Sequence, residues 1–163
     1  PMIIAEVDVE GRREDAIRDG FRLIADYIFG NNKVKLDIAM TSPVQQQESQ
    51  KIAMTAPVQQ QSTGRSWQIS FVMPSKYSME SLPEPNNDRV RLKEILTKKF
   101  IVIEFSGTNS NENVTKHENQ LMNYIEGNNL KITGSPKYAF YNAPWTLPFM
   151  RRNEVMIEIN QQQ

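Results

Sequence analysis

The chain contains no cysteine and a single histidine, His117, among its 163 residues. The absence of cysteine excludes disulfide bonds, thiolate metal sites and a cysteine nucleophile, and it leaves the redox compartment open. A single histidine excludes a metal site built from several imidazoles, as well as paired-histidine chemistry. The sequence also contains no phosphate-binding loop and no nucleophile with a base beside it.

Net charge and long apolar segments are absent too. The 19 basic and 19 acidic residues cancel, so no overall field attracts nucleic acid and no nucleic-acid partner is expected. No apolar run approaches the ~20 residues of a membrane-spanning helix, and no signal-peptide pattern is present. A cytoplasmic location is favoured, although the chain starts at Pro1 and an upstream leader stays open. The oligomeric state is left open.

The composition, 39% hydrophobic and 23% charged, is that of an ordinary soluble protein. The length predicts a single domain over residues 1–163. Apolar residues recur at helical spacing in Arg12–Phe29 and Asn111–Glu126, and each segment ends in a glycine–asparagine stop. Alternating apolar residues predict strands at Met2–Val9, Trp67–Met73, Arg89–Thr97, Lys99–Phe105, Lys131–Thr133, Tyr138–Asn142 and Glu154–Ile159.

Two nearly identical decapeptides lie between the first helix and the second strand. Ile38–Gln47 and Ile52–Gln61 differ only at Ser42 against Ala56. Each favours a short strand that ends near a proline, because proline cannot donate to a ladder. A hairpin over Ile38–Gln61 is the favoured interpretation, and a special loop that lines a pocket is the alternative.

A larger repeat relates the two helices. Tyr27–Asn32 is similar to Tyr124–Asn129, and an apolar strand precedes each helix. We infer an internal duplication of a β-α-β-β unit, with pseudo-repeats over about residues 2–73 and 89–159. The predicted fold is α+β, with the strands curled into an open, distorted antiparallel barrel flanked by two helices.

Three acidic or imidazole side chains are candidates for chemistry. The spacing of His117 places it on the apolar side of the second helix, together with Tyr124, where a core histidine is favoured over a weak axial ligand for haem iron. Glu6 and Glu104 occupy matching places in the two duplicated strands. Paired carboxylates are able to act as acid and base, but solvated strand positions are favoured for both.

The loop Pro144–Phe149 and the basic pair after it form a second candidate site. Trp145, Leu147 and Phe149 are too apolar for a solvated loop, so they either plug the core or form the wall of an apolar site. Arg151 and Arg152 either hold the carboxylates of an anionic ligand or form a structural clamp on Glu154 or on a helix end.

The first helix carries a third candidate. Arg18 and Arg22 stand beside Phe21 and Ala25. A positive edge next to an apolar stripe suits an amphipathic anion, whereas the acidic residues nearby favour an ordinary solvated helix face.

Several motifs identify a family when they are taken together. They are Tyr27-Ile28-Phe29-Gly30-Asn31, Met40-Thr41-Ser42-Pro43-Val44 with Met54-Thr55-Ala56-Pro57-Val58, Met73-Pro74 with Leu82-Pro83 and Pro85, Phe105-Ser106-Gly107, and Tyr141 with Arg151-Arg152-Asn153-Glu154-Val155. In this order, over nearly the whole chain, they resemble the SOUL haem-binding protein family. The family's duplicated β-α-β-β fold is shared with bacterial effector-binding domains of the gyrase-inhibitor-like type.

The resemblance implies a tetrapyrrole ligand, with haem lying on the first helix beneath the loop before the arginine–asparagine–glutamate motif. It points to Arg18, Phe21, Ala25 and the loop Trp145–Phe149. Together with the basic candidates above, the predicted haem-binding residues are Arg18, Phe21, Arg22, Ala25, Trp145, Leu147, Phe149 and Arg151. Two departures from the family pattern are an acid at Asp26 and a loop that lacks a lysine. Both should weaken propionate binding, by about 1–3 kcal/mol for a desolvated charge pair.

Three functions follow from this reading, in order of preference. The first is a non-catalytic carrier or buffer of haem or another tetrapyrrole. The second is a binding module for a different apolar or cationic small molecule, which Asp26 favours. The third is a hydrolase on the same fold that uses Glu104 or Glu154.

Overall fold

A computed structural model of the chain describes residues 2–33, 51–52, 58–143 and 145–160. The predicted hairpin at Ile38–Gln61 lies mostly outside these ranges. Of its second decapeptide, Ile52 is buried and Val58 begins a strand. No helix in the described ranges is long and apolar enough to cross a membrane.

Two α-helices and nine strands form within these residues. The helices are α1 (Arg13–Ile28) and α2 (Asn111–Gly127), so each predicted helix is confirmed to within one residue at either end. The strands are β1 (Met2–Glu10), β2 (Asn32–Lys33), β3 (Val58–Ser62), β4 (Ser66–Val72), β5 (Glu84–Pro85), β6 (Arg91–Ile95), β7 (Phe100–Phe105), β8 (Lys137–Phe140) and β9 (Asn153–Glu158). The strand predicted at Lys131–Thr133 is reduced to one bridge between Ile132 and Ile159.

Seven of the strands form a single antiparallel sheet in the order β6-β1-β4-β3-β8-β9-β7, and β2 and β5 form a separate pair. The α+β class is therefore confirmed. The sheet curls without closing, because no hydrogen-bonded ladder joins its edge strands β6 and β7 among the described residues. The predicted open, distorted barrel is therefore found as an open, curled sheet whose two edge strands are linked by the short connection at residues 96–99.

The sheet has two halves with the same internal order. The halves β1-β4-β3 and β7-β9-β8 meet at the antiparallel pair of β3 and β8. The helix α1 follows β1, and α2 follows β7. An internal duplication would produce this arrangement, and the duplication itself stays a prediction.

Both helices cover the same face of the sheet, which we call the helix face. In the first half, Val7, Ile69 and Phe71 of this face are fully buried together with Ile24 and Ile28 of α1. The second half has its own buried cluster beneath α2, formed by Phe105, Val114, Leu121, Ile125, Tyr138, Val155 and Ile157. The apolar positions of the alternating pattern in the strands therefore lie on the helix face.

The opposite side of the sheet, which we call the inner face, is concave. Glu6 lies on this face beside its cross-strand partner Ser70, and both residues are buried. The expectation that Glu6 is a solvated strand residue is therefore wrong, whereas Glu104 is exposed as expected. Strand β6 lies beyond β1 and helps to cover Glu6, while β7 is an edge strand with no strand on its outer side within the described ranges.

The buried Arg13 connects α1 to the start of α2. Its Nε donates to Asn111 Oδ1 at 2.7 Å, one terminal nitrogen donates to Gln60 Oε1 at 3.2 Å, and the other donates to the Asn109 carbonyl. Burial lowers the pKa of the Arg13 guanidinium, which remains charged at neutral pH. One cation thus joins the two halves of the molecule at their helix N-termini.

The ends of the helices follow their sequence signals, with one correction inside α2. Gly30 has a φ of 123°, as expected for a glycine just past a helix. The Ser110 hydroxyl caps α2 by accepting from the Asn113 amide. Tyr124, which the spacing predicts on the apolar side of α2, is exposed, because the buried side of α2 runs through Leu121 and Ile125 and Tyr124 lies about 100° around the helix from Ile125.

Candidate functional site

The loop between β8 and β9, residues 141–152, exposes a group of large apolar side chains. We call it the late loop. Trp145 is 85% exposed, Leu147 is 55% exposed, and Phe149 and Met150 are 73% and 63% exposed. These side chains do not plug the core, so the first of the two predicted alternatives is wrong. An exposed apolar group of this size is typical of a binding surface.

Hydrogen bonds hold the late loop in a defined shape. Pro148–Met150 forms a 3-10 turn, and the Pro148 carbonyl accepts from the Gly107 amide at 2.8 Å. Asn153 donates to the Gly107 carbonyl at 3.1 Å, which ties the loop to the end of β7. Arg151 Nε donates to the Thr146 carbonyl at 2.7 Å. The apolar side chains are therefore presented on an ordered scaffold.

Arg152 forms a clamp on the inner face. It bonds Glu154 Oε1 at 2.6 Å and lies 3.1 Å from Glu104 Oε2, and Tyr141 donates to Glu154 Oε2 at 2.7 Å. Burial and the Glu154 carboxylate raise the pKa of the Tyr141 hydroxyl to about 12. Both oxygens of the buried Glu154 are thus occupied by protein groups, which supports the structural interpretation of the second arginine.

The predicted site residues of α1 have unequal access. Phe21 is partly exposed and packs on Phe71, with the ring centroids 5.5 Å apart. Arg22 is exposed, whereas Ala25 is buried and offers little surface to a ligand. Arg18 lies 3.2 Å from Asp15 and 3.4 Å from the next acid along the helix. Asp26, the acid that departs from the family pattern, is exposed and accepts a hydrogen bond from the Asn31 side chain at 2.5 Å.

Register places α1 and the start of the late loop on one part of the helix face. Phe71, Val58 and Phe140 are cross-strand neighbours on β4, β3 and β8, and such neighbours project to the same face. Adjacent strands lie about 4.8 Å apart, so the chain leaves β8 about 10 Å from Phe71. Phe21 and the late loop therefore border a common strip floored by Val58 and Phe140, both of which are partly buried.

His117 lies on the other side of the late loop. Its ring stacks on Phe105, with centroids 4.1 Å apart and an interplanar angle of 9°. Its Nδ1 lies 2.7 Å from the Asn113 carbonyl, which only accepts, so Nδ1 is the donor and the neutral ring has its lone pair on Nε2. A groove of about 760 Å³ brings this ring together with Lys116, Phe149, Met150, Arg151 and Arg152.

The structure therefore brings together only part of the predicted residue set. Phe149 and Arg151 line the groove with His117, while Phe21 and Arg22 lie on α1 at the far side of the strip. Lys116 and Met150 escaped the sequence analysis, although each directly adjoins a residue that was singled out. Among the described residues, no group of three histidine or acidic side chains is placed to hold a metal ion.

Comparisons with known proteins agree with the motifs. The family described as "SOUL heme-binding protein" matches residues 1–158. "Heme-binding protein 1" from Mus musculus is 24% identical over 144 residues, which cover 88% of this chain and 72% of that protein.

Two crystal structures from Listeria innocua share the fold. An uncharacterized conserved protein aligns with a TM-score of 0.60 at 15% identity, covering 98% of this chain and 88% of that chain. A protein named as a hydrolase aligns with a TM-score of 0.58 at 13% identity, covering 98% and 87%. At these identities the likeness concerns the fold alone. Because the family match extends over nearly the whole sequence, the chain belongs to the SOUL haem-binding protein family.

Proposed function

We propose that this chain binds haem or a related tetrapyrrole and acts as a carrier or buffer without catalysing a reaction. The observation that carries the proposal is the apolar surface of the late loop, where Trp145, Leu147 and Phe149 stand exposed on an ordered scaffold. A macrocycle laid against them would remove apolar area from water, which contributes about 25 cal/mol per Å². The family and its mouse member support the same class of ligand.

The charges around the late loop suit the carboxylates of such a ligand. Arg22 and Lys116 are exposed and form no ion pair within the described residues. Arg18 is already held by Asp15 and its neighbour. We therefore expect Arg22 to contribute more to propionate binding than Arg18, although the family resemblance points first to Arg18.

His117 provides a nitrogen that fits haem iron. Its Nδ1 hydrogen bond to the Asn113 carbonyl leaves Nε2 as the acceptor, an arrangement that orients imidazole ligands towards metals. A haem iron placed beside Nε2 would gain the imidazole as an axial ligand. Two placements of the macrocycle are thus open: against α1 with Phe21, or against α2 with His117. We adopt the α1 placement, since Phe21 and the late loop border one apolar strip.

The proposal is tested by titrating the protein with hemin while following the Soret band and the tryptophan fluorescence. Trp145 is exposed and Trp67 is partly buried, so haem beside the late loop should quench mainly Trp145, and Trp145→Phe should remove most of that quenching. We expect saturable one-to-one binding. Phe21→Ala should weaken it at least tenfold, and His117→Gln should leave the Soret maximum in place.

Leu96→Ala serves as the matched control, because Leu96 is an exposed apolar residue on the connection between β6 and β7, away from the late loop. Its hemin affinity should equal that of the unmodified chain. A Soret maximum that moves in His117→Gln, with normal binding by Phe21→Ala, would transfer the site to α2. Weak, non-saturating binding by the unmodified protein would refute a tetrapyrrole function and favour another small molecule.

A further inference from the structure

A second cavity lies on the inner face, on the side of the sheet opposite the helices. It has a volume of about 350 Å³ and is lined by residues from all seven strands of the sheet. Its apolar wall includes Ile4, Ile95, Phe100 and Met156. We call this cavity the inner pocket. Cavities of 300–1,000 Å³ with an apolar wall and a few polar groups are the usual form of a small-molecule site.

Glu6 supplies an unsatisfied acceptor in the inner pocket. The residue is only 5% exposed. Its Oε1 accepts from Arg91 at 3.3 Å, while its Oε2 is buried and has no hydrogen-bond partner within the described part of the chain. A buried carboxylate oxygen without a partner is costly. A ligand with a hydroxyl or N–H group at this position would satisfy it.

Lysines dominate the charge of the rest of the pocket. Lys93, Lys98 and Lys137 all line it. Lys98 is paired with Glu158 at 2.7 Å, whereas Lys93 and Lys137 form no ion pair among the described residues. Burial, followed by the nearby Lys98, lowers the pKa of the Lys137 ammonium.

These groups select between classes of ligand. A cation would gain one carboxylate at Glu6, which Arg91 already partly neutralises, and would approach three ammonium groups. A purely apolar molecule would remove water from the half-buried Lys137 without supplying an anion, which is unfavourable even with the Phe100 ring 5.5 Å from its ammonium group. An organic anion pairs with the lysines, and its apolar body contacts the wall formed by residues such as Phe100.

We propose that the inner pocket is a second ligand site, separate from the late loop, for a small organic anion that also carries a hydrogen-bond donor. The anionic group binds beside Lys137 and Lys93, the donor contacts Glu6 Oε2, and the apolar body fills the space between them. The proposal is independent of tetrapyrrole binding, since the inner pocket and the late loop's apolar side chains lie on different surfaces.

The test uses 8-anilinonaphthalene-1-sulfonate, which combines a sulfonate, an N–H donor and two aromatic groups. The probe is titrated into haem-free protein labelled with ¹³C at the methionine methyl groups. Met2 and Met156 line the inner pocket, and Met150 reports on the late loop. We expect the Met2 and Met156 signals to shift saturably while Met150 stays in place.

Substitutions of the pocket lysines then test which positive charges bind the probe. Lys137→Leu should weaken the probe about tenfold or more, and Lys93→Gln, at an exposed position, should weaken it about threefold or more. Lys33→Leu is the matched control, because Lys33 is exposed on the separate β2–β5 pair and lines neither site, and it should bind the probe normally. A thermal melt shows whether each variant is folded, and Lys93→Gln keeps the test valid if Lys137→Leu is not.

Three outcomes would overturn the proposal: a shift confined to Met150, unchanged affinity in both pocket-lysine variants, or a preference for the cation rhodamine 6G over the anionic probe in the Met156 signal. Because haem is absent throughout, none of these results depends on whether the chain binds a tetrapyrrole.

Discussion

Gly20 lies where α1 crosses β4 at very close range. A Cβ atom at this position would lie 2.6 Å from Ile69 Cγ1 and 2.9 Å from Ile69 Cβ. We predict that Gly20→Ala destabilises the protein by about 1–3 kcal/mol, because overpacking against a fully buried side chain outweighs the gain of at most about 1 kcal/mol in helix propensity. Urea unfolding followed by tryptophan fluorescence measures this change.

Gly127 provides the control for that substitution. It is the last residue of α2, and a Cβ there would meet no atom within 4 Å. Gly127→Ala should therefore leave stability unchanged or raise it by up to about 1 kcal/mol. Equal behaviour of the two alanine variants would show that α1 can move away from the sheet without cost, against the close packing described above.

Glu6 shows the limit of sequence reasoning at the scale of one residue. Glu6 and Glu104 have the same position in two similar strands, yet Glu6 is buried and Glu104 is exposed. Alternation tells which face of a strand a residue occupies. It does not tell whether another strand lies beyond. Strand β6 flanks β1, and nothing among the described residues flanks the outer side of β7.

At the scale of secondary-structure elements, Arg13 joins the two helices. It donates to Asn111, Gln60 and the Asn109 carbonyl from a buried position. We predict that Arg13→Ala lowers the free energy of unfolding by about 2–4 kcal/mol, since bonds to a charged donor are lost and the buried Gln60 amide oxygen keeps no partner. Denaturant unfolding at neutral pH provides the measurement.

Arg12 is the matched control, because it precedes Arg13 and its ion pair with Asp15 is exposed. Arg12→Ala should have no measurable effect on unfolding. A double-mutant cycle of Arg13→Ala with Asn111→Ala should give a coupling of about 0.5–3 kcal/mol. Strict additivity would mean that the bond between the helices contributes nothing.

Elements were predictable where a single local pattern decides them. Spacing placed both helices to within one residue, because apolar periodicity and the glycine and asparagine stops are local signals. The sequence indicated that the late loop is too apolar for a solvated loop, but it did not indicate whether the apolar side chains are buried or exposed. Whether Trp145 plugs the core or projects outward depends on the bonds from Gly107 and Asn153 that hold the loop.

The stability of the whole molecule should fall at alkaline pH. Tyr27 is fully buried and donates to the Pro83 carbonyl at 2.9 Å, and burial raises the pKa of its hydroxyl. Burial, followed by the Glu118 carboxylate, likewise raises the pKa of Tyr138. A raised folded-state pKa contributes stability that is fully present below the unfolded value of about 10 and is lost as pH rises above it.

We predict that the Tyr27→Phe variant isolates the contribution of Tyr27 to this loss of stability at alkaline pH. At pH 8 the variant should be less stable by about 1–2 kcal/mol, because the buried Pro83 carbonyl loses its donor. Above pH 10 the unmodified protein should lose up to about 1.4 kcal/mol per pH unit through Tyr27 alone, so the two stabilities should converge. Urea titrations at pH 8, 10 and 11 measure the difference.

Tyr124→Phe, at an exposed position of α2, controls for the loss of a phenol. A stability difference between Tyr27→Phe and the unmodified protein that stays constant from pH 8 to pH 11 would contradict the assigned cause, since the buried hydroxyl would then ionise as readily as an unfolded one.

The sequence by itself determined the two helices, most strands, the α+β class and the family, because these rest on periodicity, helix stops and ordered motifs within one stretch of chain. Only the tertiary structure decided the open edges of the sheet, the burial of Glu6, the clamp on Glu154 and the exposure of the late loop. Each of these depends on which strand lies beside which. Strand order is set by packing between distant segments, and local periodicity carries no information about it.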